Sequence, residues 1–248
     1  KHDYTVFNPW HTWVEYINRL LGALAGLATL LLAFASIKYW KENKTITLLS
    51  IFIVLGMGFQ AWLGKTVVDS NLAPLKITIH MVMALVLVAA MLFIINKTNT
   101  KNKNHHYHST FKNVLILASI LTLIQIILGT QVRQFIDEQA KIFGDQKSNL
   151  WLNNPTLIFY FHRSFSIIVL LINGYLFYLL KKVKLNFKKL NWVMVILIME
   201  ILSGIAMVYF HFPFGTQTIH LVFASILFGI QFYIILETFN TKNIPQTL

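Results

Sequence analysis

Long runs of apolar residues recur along the whole chain, and short polar stretches separate them. Each run has the roughly 20 residues, or somewhat more, that a helix needs to cross the hydrocarbon core of a bilayer. None shows the strict alternation of a membrane β-strand, so we predict helices. The longest predicted loop, Arg133–Pro155, is too short for a separate soluble domain. The seven predicted spans are Trp13–Tyr39, Ile46–Lys65, Leu75–Ile95, Val114–Val132, Thr156–Leu180, Trp192–Phe210 and Thr218–Phe239.

The composition agrees with this pattern and excludes several other classes of protein. Hydrophobic residues make up 56% of the 248 residues, and charged residues make up only 12%. A soluble domain carries about 25% charged residues. The sequence contains no cysteine, which excludes a fold held together by disulfide bonds. We therefore predict an all-α, polytopic membrane protein.

The basic residues are concentrated on one side of the predicted helices. Cytoplasmic loops carry such an excess, so we predict a cytoplasmic C-terminus, an N-terminus outside, and a bacterial-type inner membrane. Topology then explains the net charge of +12, and we do not expect the chain to bind nucleic acid. Thirteen of the 21 basic residues lie on the predicted cytoplasmic side: Lys38, Lys41, Lys44, Lys97, Lys101, Lys103, Lys112, Lys181, Lys182, Lys184, Lys188, Lys189 and Lys242.

A short motif recurs and divides the chain into two related halves, residues 1–105 and 106–248. Gln60-Ala-Trp-Leu-Gly64 ends 16 residues before His80, and Glu200-Ile-Leu-Ser-Gly204 ends 16 residues before His220. A third copy, Gln125-Ile-Ile-Leu-Gly129, precedes the span that carries His162. Aligning the halves places Asn18-Arg19 opposite His162-Arg163. The first half then shows three helices against four, and we expect a further helix upstream of residue 1.

Three histidines, His80, His162 and His220, lie inside apolar spans at a similar predicted depth on the outer side. Ionisable residues are costly there and usually functional. A single such histidine can simply hydrogen-bond to a neighbouring helix, but three at one depth favour metal ligands. Structural zinc would require cysteine or more closely grouped ligands.

Two histidines on facing helices of a four-helix bundle can hold a haem iron from both sides. His162 and His220 are such a pair, and Arg163 is placed to bind a haem propionate. In the first half, His80 is the matching candidate iron ligand. The sequence thus predicts haem sites towards the outer side of the membrane.

The first half departs from the repeat at two positions. Asn18 stands where a second histidine is expected, and asparagine is a poor iron ligand. His11 is a candidate substitute on the same helix face, although a place at the membrane surface, without a special role, is the simpler explanation.

Glu15 is a carboxylate early in an apolar span, and the second half has Phe159 there. This asymmetry favours a catalytic Glu15; the alternative is an ion pair with Arg19 one turn later.

With these residues in hand, the chain resembles the haem A synthase family, integral-membrane enzymes of cytochrome oxidase assembly. Glu15-Tyr-Ile-Asn18-Arg19 is similar to the family's Glu-x-x-His-Arg signature. Phe161-His162-Arg163 and the glycines that lead to His80 and His220 occupy other family positions. Gln125-Ile-Ile-Leu-Gly129-Thr-Gln-Val-Arg133 is similar to the family's opening of its second four-helix half. The resemblance covers nearly the whole chain.

The resemblance implies eight helices in two four-helix bundles, with haem b held by His162 and His220. It also implies that the first half binds haem O and oxidises its C8 methyl group to the formyl group of haem A. Glu15 would assist that oxidation, and His80 would ligate the substrate iron, with Asn18, Arg19 and His11 around the substrate. The implied partners are the bilayer and a quinol or redox protein as electron donor. A homo-oligomer and complexes with haem O synthase or oxidase assembly factors stay open.

Two departures from the family pattern leave a second function class open. Asn18 replaces the family's histidine, and the cysteine pair that many relatives carry in an outer loop is absent. The alternative to an enzyme is therefore a non-catalytic haem-b-binding subunit or electron-transfer protein. A transporter ranks last, because the spans lack paired Gly or Pro breaks at mid-membrane.

Overall fold

Seven long helices dominate the part of the chain that the computed structural model describes, residues 9–69, 74–99, 109–182 and 188–239. No β-strand occurs within those ranges, and all seven helices are long and apolar enough to cross a membrane. The predicted class, an all-α polytopic membrane protein, is confirmed. The helices are α1 (Pro9–Ser36), α2 (Lys44–Asp69), α3 (Pro74–Thr98), α4 (Ser109–Phe143), α5 (Leu157–Lys182), α6 (Lys188–Tyr209) and α7 (Thr216–Phe239).

Helix α4 is longer than the sequence pattern predicts. The predicted span ends at Val132, but the helix continues to Phe143, and a 3₁₀ helix follows over Asp145–Leu150. The extension is polar and is held by pairs one turn apart. Arg133 Nε donates to Asp137 at 2.8 Å, and Gln134 donates to Glu138 at 2.6 Å. The prediction of a loop from Arg133 onwards was therefore wrong, because it followed hydropathy alone.

The chain forms two compact units, residues 1–98 and 99–248. The predicted boundary between residues 105 and 106 lies outside the described residues. In the first unit, α1 packs against α2 and α2 packs against α3. In the second unit the four helices close a ring, because α4 contacts both α5 and α7, and α6 contacts the same two helices.

The second unit has an apolar core with a polar link at its centre. Leu115, Leu176 and Ile234 are fully buried in this core. Asn173 on α5 and Gln231 on α7 are also fully buried, and the Gln231 side-chain amide donates to Asn173 Oδ1 at 2.9 Å. A hydrogen bond therefore joins α5 to α7 across the ring.

The first unit has a smaller core, between α2 and α3. Ile46 and Ile53 of α2 pack with Ala90 and Ile94 of α3. Many large apolar side chains on α1 are exposed, as expected of a helix whose outer surface faces lipid.

Candidate functional site

The two histidines of the second unit face each other. His162 lies near the start of α5 and His220 near the start of α7. Their ring centroids are 6.4 Å apart, with an angle of 73° between the ring planes. An imidazole nitrogen binds a metal at about 2.0–2.1 Å and lies roughly 1.2 Å from its ring centre, so two imidazoles on one iron have centres roughly 6–6.5 Å apart. The spacing of the pair fits one iron between the rings.

His220 is held by two side chains of α6. Glu200 Oε2 lies 2.5 Å from Nδ1 of His220, and the Ser203 hydroxyl oxygen lies 2.8 Å from the same nitrogen. Ser203 donates its own hydrogen to the backbone carbonyl of Glu200 at 2.8 Å, so its oxygen is free to accept from Nδ1. Glu200 Oε2 is buried and makes no hydrogen bond of good geometry within the described chain. These contacts occupy Nδ1, so Nε2 is the nitrogen of His220 that stays available to a ligand.

His162 is held differently, through its backbone. The side-chain amide of Gln125 on α4 donates to the carbonyl oxygen of His162 at 3.0 Å. Nδ1 of His162 is buried and has no hydrogen-bond partner among the described residues. A buried polar nitrogen without a partner is costly in a protein interior. The ring of His162 is therefore suited to binding a group that the protein itself does not supply.

The glycine of each motif lies directly against the ring of its histidine. A β-carbon would be tight against the ring at Gly129, whereas at Gly64 and Gly204 it would be in ordinary van der Waals contact. A β-carbon would lie 3.4 Å from Cε1 of His80 if built on Gly64, 3.1 Å from Cε1 of His162 on Gly129, and 3.5 Å from Cε1 of His220 on Gly204. The sequence repeat thus corresponds to one local structure, present three times.

In the first unit, His80 of α3 repeats the arrangement of His162. The amide of Gln60 on α2 donates to the backbone carbonyl of His80 at 3.0 Å, and the same amide nitrogen lies 3.4 Å from Nε2 of the ring. Nδ1 of His80 is buried and has no hydrogen-bond partner in the described residues. His80 is therefore held in place by Gln60, and one of its ring nitrogens has no hydrogen-bond partner among the described residues.

The predicted residues of α1 form a separate group. Glu15 and Arg19 make an ion pair one turn apart, with side chains 57% and 72% exposed. This is the pairing given above as the alternative explanation for Glu15. Asn18 is exposed as well. Within the described residues α1 does not contact α3, so the structure does not bring this group together with His80.

The two remaining predicted residues are near helix starts. Arg163 is exposed, and its guanidinium lies 5.4 Å from the ring centroid of Tyr160, a cation–π contact that leaves its hydrogen-bond donors available. His11 is in the first turn of α1, but its side chain lies outside the described part of the structure. No cluster of three or more metal-ligating side chains occurs in the described ranges.

The sequence motif contained residues whose roles became visible only in the structure. Gln60, Gln125 and Glu200 each stand four positions before the motif glycine, and each contacts the histidine that follows. The signal in the sequence was the repeat itself, which placed a polar residue inside an apolar helix three times. Ser203 carried no such signal.

Known proteins resemble the chain over most of its length. The sequence profile of the COX15-CtaA family, described as cytochrome oxidase assembly protein, matches residues 4–232. A heme A synthase from Ehrlichia canis (strain Jake) is 26% identical, over 90% of this chain and 69% of the relative. Heme A synthases from Wolbachia of Culex pipiens and of Brugia malayi are 24% and 26% identical. These matches cover 89% and 87% of this chain and 72% and 70% of the relatives.

Proposed function

The chain belongs to the COX15-CtaA family of cytochrome oxidase assembly proteins, and from this premise we propose that it is a haem A synthase. The proposed reaction oxidises the C8 methyl group of haem O to the formyl group of haem A. The chain would act as an oxidoreductase in haem biosynthesis, with haem O as substrate. Oxidation of a methyl to a formyl group removes four electrons, so the reaction would need dioxygen as oxidant together with a quinol or a redox protein as electron donor.

The facing imidazoles of His162 and His220 are the strongest support for this proposal. Their 6.4 Å centroid separation suits one iron between them, and two axial histidines are a common way to hold a low-spin haem. When bound there, haem b supplies one-electron transfer. His162 and His220 would hold the iron, and Arg163, with its donors available, would bind a propionate.

In the first unit we propose that His80 ligates the iron of the substrate haem O. Like His162, His80 has a buried Nδ1 without a hydrogen-bond partner in the described residues, and its backbone carbonyl accepts a hydrogen bond from a motif glutamine, Gln60. Arg19, Asn18 and His11 are proposed to lie near the substrate on α1.

Glu15 is the proposed acid–base residue of the oxidation. Its ion pair with Arg19 fixes the orientation of the carboxylate on α1. A positioned carboxylate can hold or pass on a proton beside the reacting methyl group while the oxidant accepts the electrons. Its 57% exposed side chain leaves room for a substrate at this face of the helix.

A non-catalytic haem-b-binding or electron-transfer protein is the second candidate, and one observation favours it. Asn18 stands where the repeat of the second unit has His162, and an amide is a poorer iron ligand than an imidazole. In that case the second unit keeps its haem, while the first unit no longer oxidises haem O.

The two candidates differ in the pigments that accumulate. The chain is expressed in membranes that make haem O, and the haems are extracted and separated by chromatography. Haem A or a hydroxylated intermediate supports the enzyme, whereas haem B alone, with haem O unchanged, supports the second candidate. Asn18→His provides the matched variant: if the second candidate is right and Asn18 is the cause, the variant converts haem O.

The seven membrane-spanning helices place the protein in a membrane as a multi-pass protein. We propose the bacterial-type inner membrane, with the C-terminus in the cytoplasm and the haem sites towards the outer side. The excess of lysine in three loops and the C-terminal tail supports this orientation.

A further inference from the structure

Glu200 is the charged member of a set of three otherwise matching residues. Gln60, Gln125 and Glu200 occupy the same position of the repeated motif. The two glutamines donate their amides to the backbone carbonyl of the following histidine, at 3.0 Å in both cases. Glu200 has no amide hydrogen to donate, and its carboxylate instead contacts the ring of its histidine, His220.

The contact places a buried carboxylate against Nδ1 of His220, on the side of the ring away from the candidate ligand atom Nε2. Glu200 is 8% exposed, and its Oε2 lies 2.5 Å from Nδ1 of His220. The partner histidine, His162, has a buried Nδ1 without a hydrogen bond in the described chain. The two rings therefore differ in the charge beside them: a carboxylate contacts Nδ1 of His220, whereas no hydrogen-bond partner meets Nδ1 of His162 in the described chain.

We propose that Glu200 sets the reduction potential of the haem in the second unit by acting on His220. A carboxylate 2.5 Å from Nδ1 polarises the Nδ1–H bond and so makes the imidazole a stronger electron donor at Nε2. Its negative charge in a poorly solvated site also favours ferric over ferrous iron. Glu200 is then a positioning residue that keeps this haem a stronger reductant than an amide in its place would allow.

The inference rests on the proposed haem b at His162 and His220. The experiment distinguishes failure of the inference about Glu200 from failure of the proposed haem site. The purified full-length protein is titrated potentiometrically while the absorbance of low-spin haem is followed. Glu200→Gln gives position 200 the residue found in the other two motif copies. It is expected to raise the equilibrium constant for haem reduction at least tenfold, which corresponds to about 59 mV for a one-electron couple.

Ser225→Ala is the matched control, because it removes a hydroxyl on the helix of His220 that donates to the backbone carbonyl of Leu221 at 2.9 Å. Its expected change is less than threefold, with a low-spin spectrum like that of the unmodified protein. Gln125→Glu is the converse variant. It places a carboxylate at the motif position behind His162 and is expected to lower the equilibrium constant for reduction.

Each outcome decides one of the two claims. A Glu200→Gln protein that keeps its low-spin haem and titrates within threefold of the unmodified protein overturns the role of Glu200 and leaves the haem site intact. Loss of haem from this variant alone makes Glu200 a structural residue and also overturns the inference. A low-spin spectrum that is absent from the unmodified protein, or that survives His220→Ala, overturns the proposed haem site itself.

Discussion

The two histidines of the second unit differ in the atoms that hold them. His220 is fixed at its ring by Glu200 and Ser203, whereas His162 is fixed through its backbone by Gln125. The ring of His162 therefore depends on the proposed iron for its orientation. At this scale, the proposed haem binding and the proposed reaction each depend on single side chains.

Removing either imidazole should remove the low-spin haem. His162→Ala and His220→Ala are each expected to lower the haem b content more than tenfold, since even indirect changes around a metal cost about 10–100-fold in affinity. Reduced-minus-oxidised absorbance spectra of the purified variants measure this. His80→Ala is the control in the first unit and should keep the low-spin spectrum. A normal spectrum from the His162 variant would remove it from the ligand set.

Glu15→Gln separates the catalytic role of Glu15 from its ion pair. If Glu15 moves a proton, haem A formation should fall by about 10²–10⁴-fold, because the amide keeps the shape and loses the ionisable group. If it only pairs with Arg19, the exposed ion pair contributes about 0.3–0.5 kcal/mol, and turnover should be unchanged. Haem O conversion in membranes containing the variant gives the answer, with Arg19→Gln as the control that breaks the same pair and keeps the carboxylate.

At the scale of helices, the site depends on how closely α4 and α5 approach. Gly129 allows the ring of His162 to lie against α4, since a β-carbon there would be 3.1 Å from Cε1. Few real contacts are that short, so a larger residue must displace the ring. The equivalent contacts at Gly64 and Gly204 are longer, at 3.4 and 3.5 Å.

Gly129→Ala should therefore disturb the haem of the second unit. We expect a shifted low-spin absorbance band and lower haem content, because the displaced imidazole of His162 would hold the haem less well. Gly174→Ala is the matched control in the same unit, since a β-carbon there has no neighbour within 4 Å. Equal spectra from the two variants would show that the contact at Gly129 has no effect on the site.

The hydrogen bond between Asn173 and Gln231 joins α5 and α7, the two helices that also carry His162 and His220. Asn173 lies eleven residues after His162 on α5, and Gln231 lies eleven residues after His220 on α7. Eleven residues are close to three full helical turns, so each residue lies on the same helix face as its histidine. The hydrogen bond between them fixes the spacing of α5 and α7 three turns from the rings.

Breaking this link should destabilise the second unit. Gln231→Leu leaves Asn173 Oδ1 without its donor, and a buried group left unsatisfied costs about 1–3 kcal/mol. Hydrogen bonds within membrane bundles have averaged nearer 0.6 kcal/mol, so we expect a loss of about 1 kcal/mol. Thermal unfolding of Gln231→Leu, Asn173→Leu and the double variant measures the interaction free energy between the two side chains. Strict additivity of the single effects would mean that the bond contributes nothing.

At the scale of the whole molecule, the lysine distribution predicts the orientation in the membrane. The chain has no cysteine, so a single introduced thiol can be labelled without background. Asn149→Cys, in the exposed 3₁₀ helix after α4, should react with an impermeant maleimide in intact cells. Ser109→Cys, exposed at the start of α4, should react only after the membrane is opened. The reverse pattern would invert the proposed topology.

The sequence by itself predicted the seven apolar helices of the described residues, although it did not predict where α4 ends. A run of about 20 apolar residues without the alternation of a membrane strand crosses a membrane as a helix, because a helix satisfies its backbone hydrogen bonds within its own segment. The repeat of glutamine or glutamate and glycine also placed these two residues of each motif on one helix face, since residues four apart share a face, but the contacts of the polar residues with the histidines became visible only in the structure. Each of these features is local along the chain, and a pattern of residue types is enough to find it.

Only the tertiary structure decided which side chains meet. The sequence could not distinguish Glu200, which reaches the ring of His220, from Gln125, which reaches the backbone of His162. It gave no sign that Asn173 and Gln231 pair, because their contact joins residues 58 apart. Such contacts depend on how each helix is rotated about its axis, and that rotation is set by packing of all its neighbours at once.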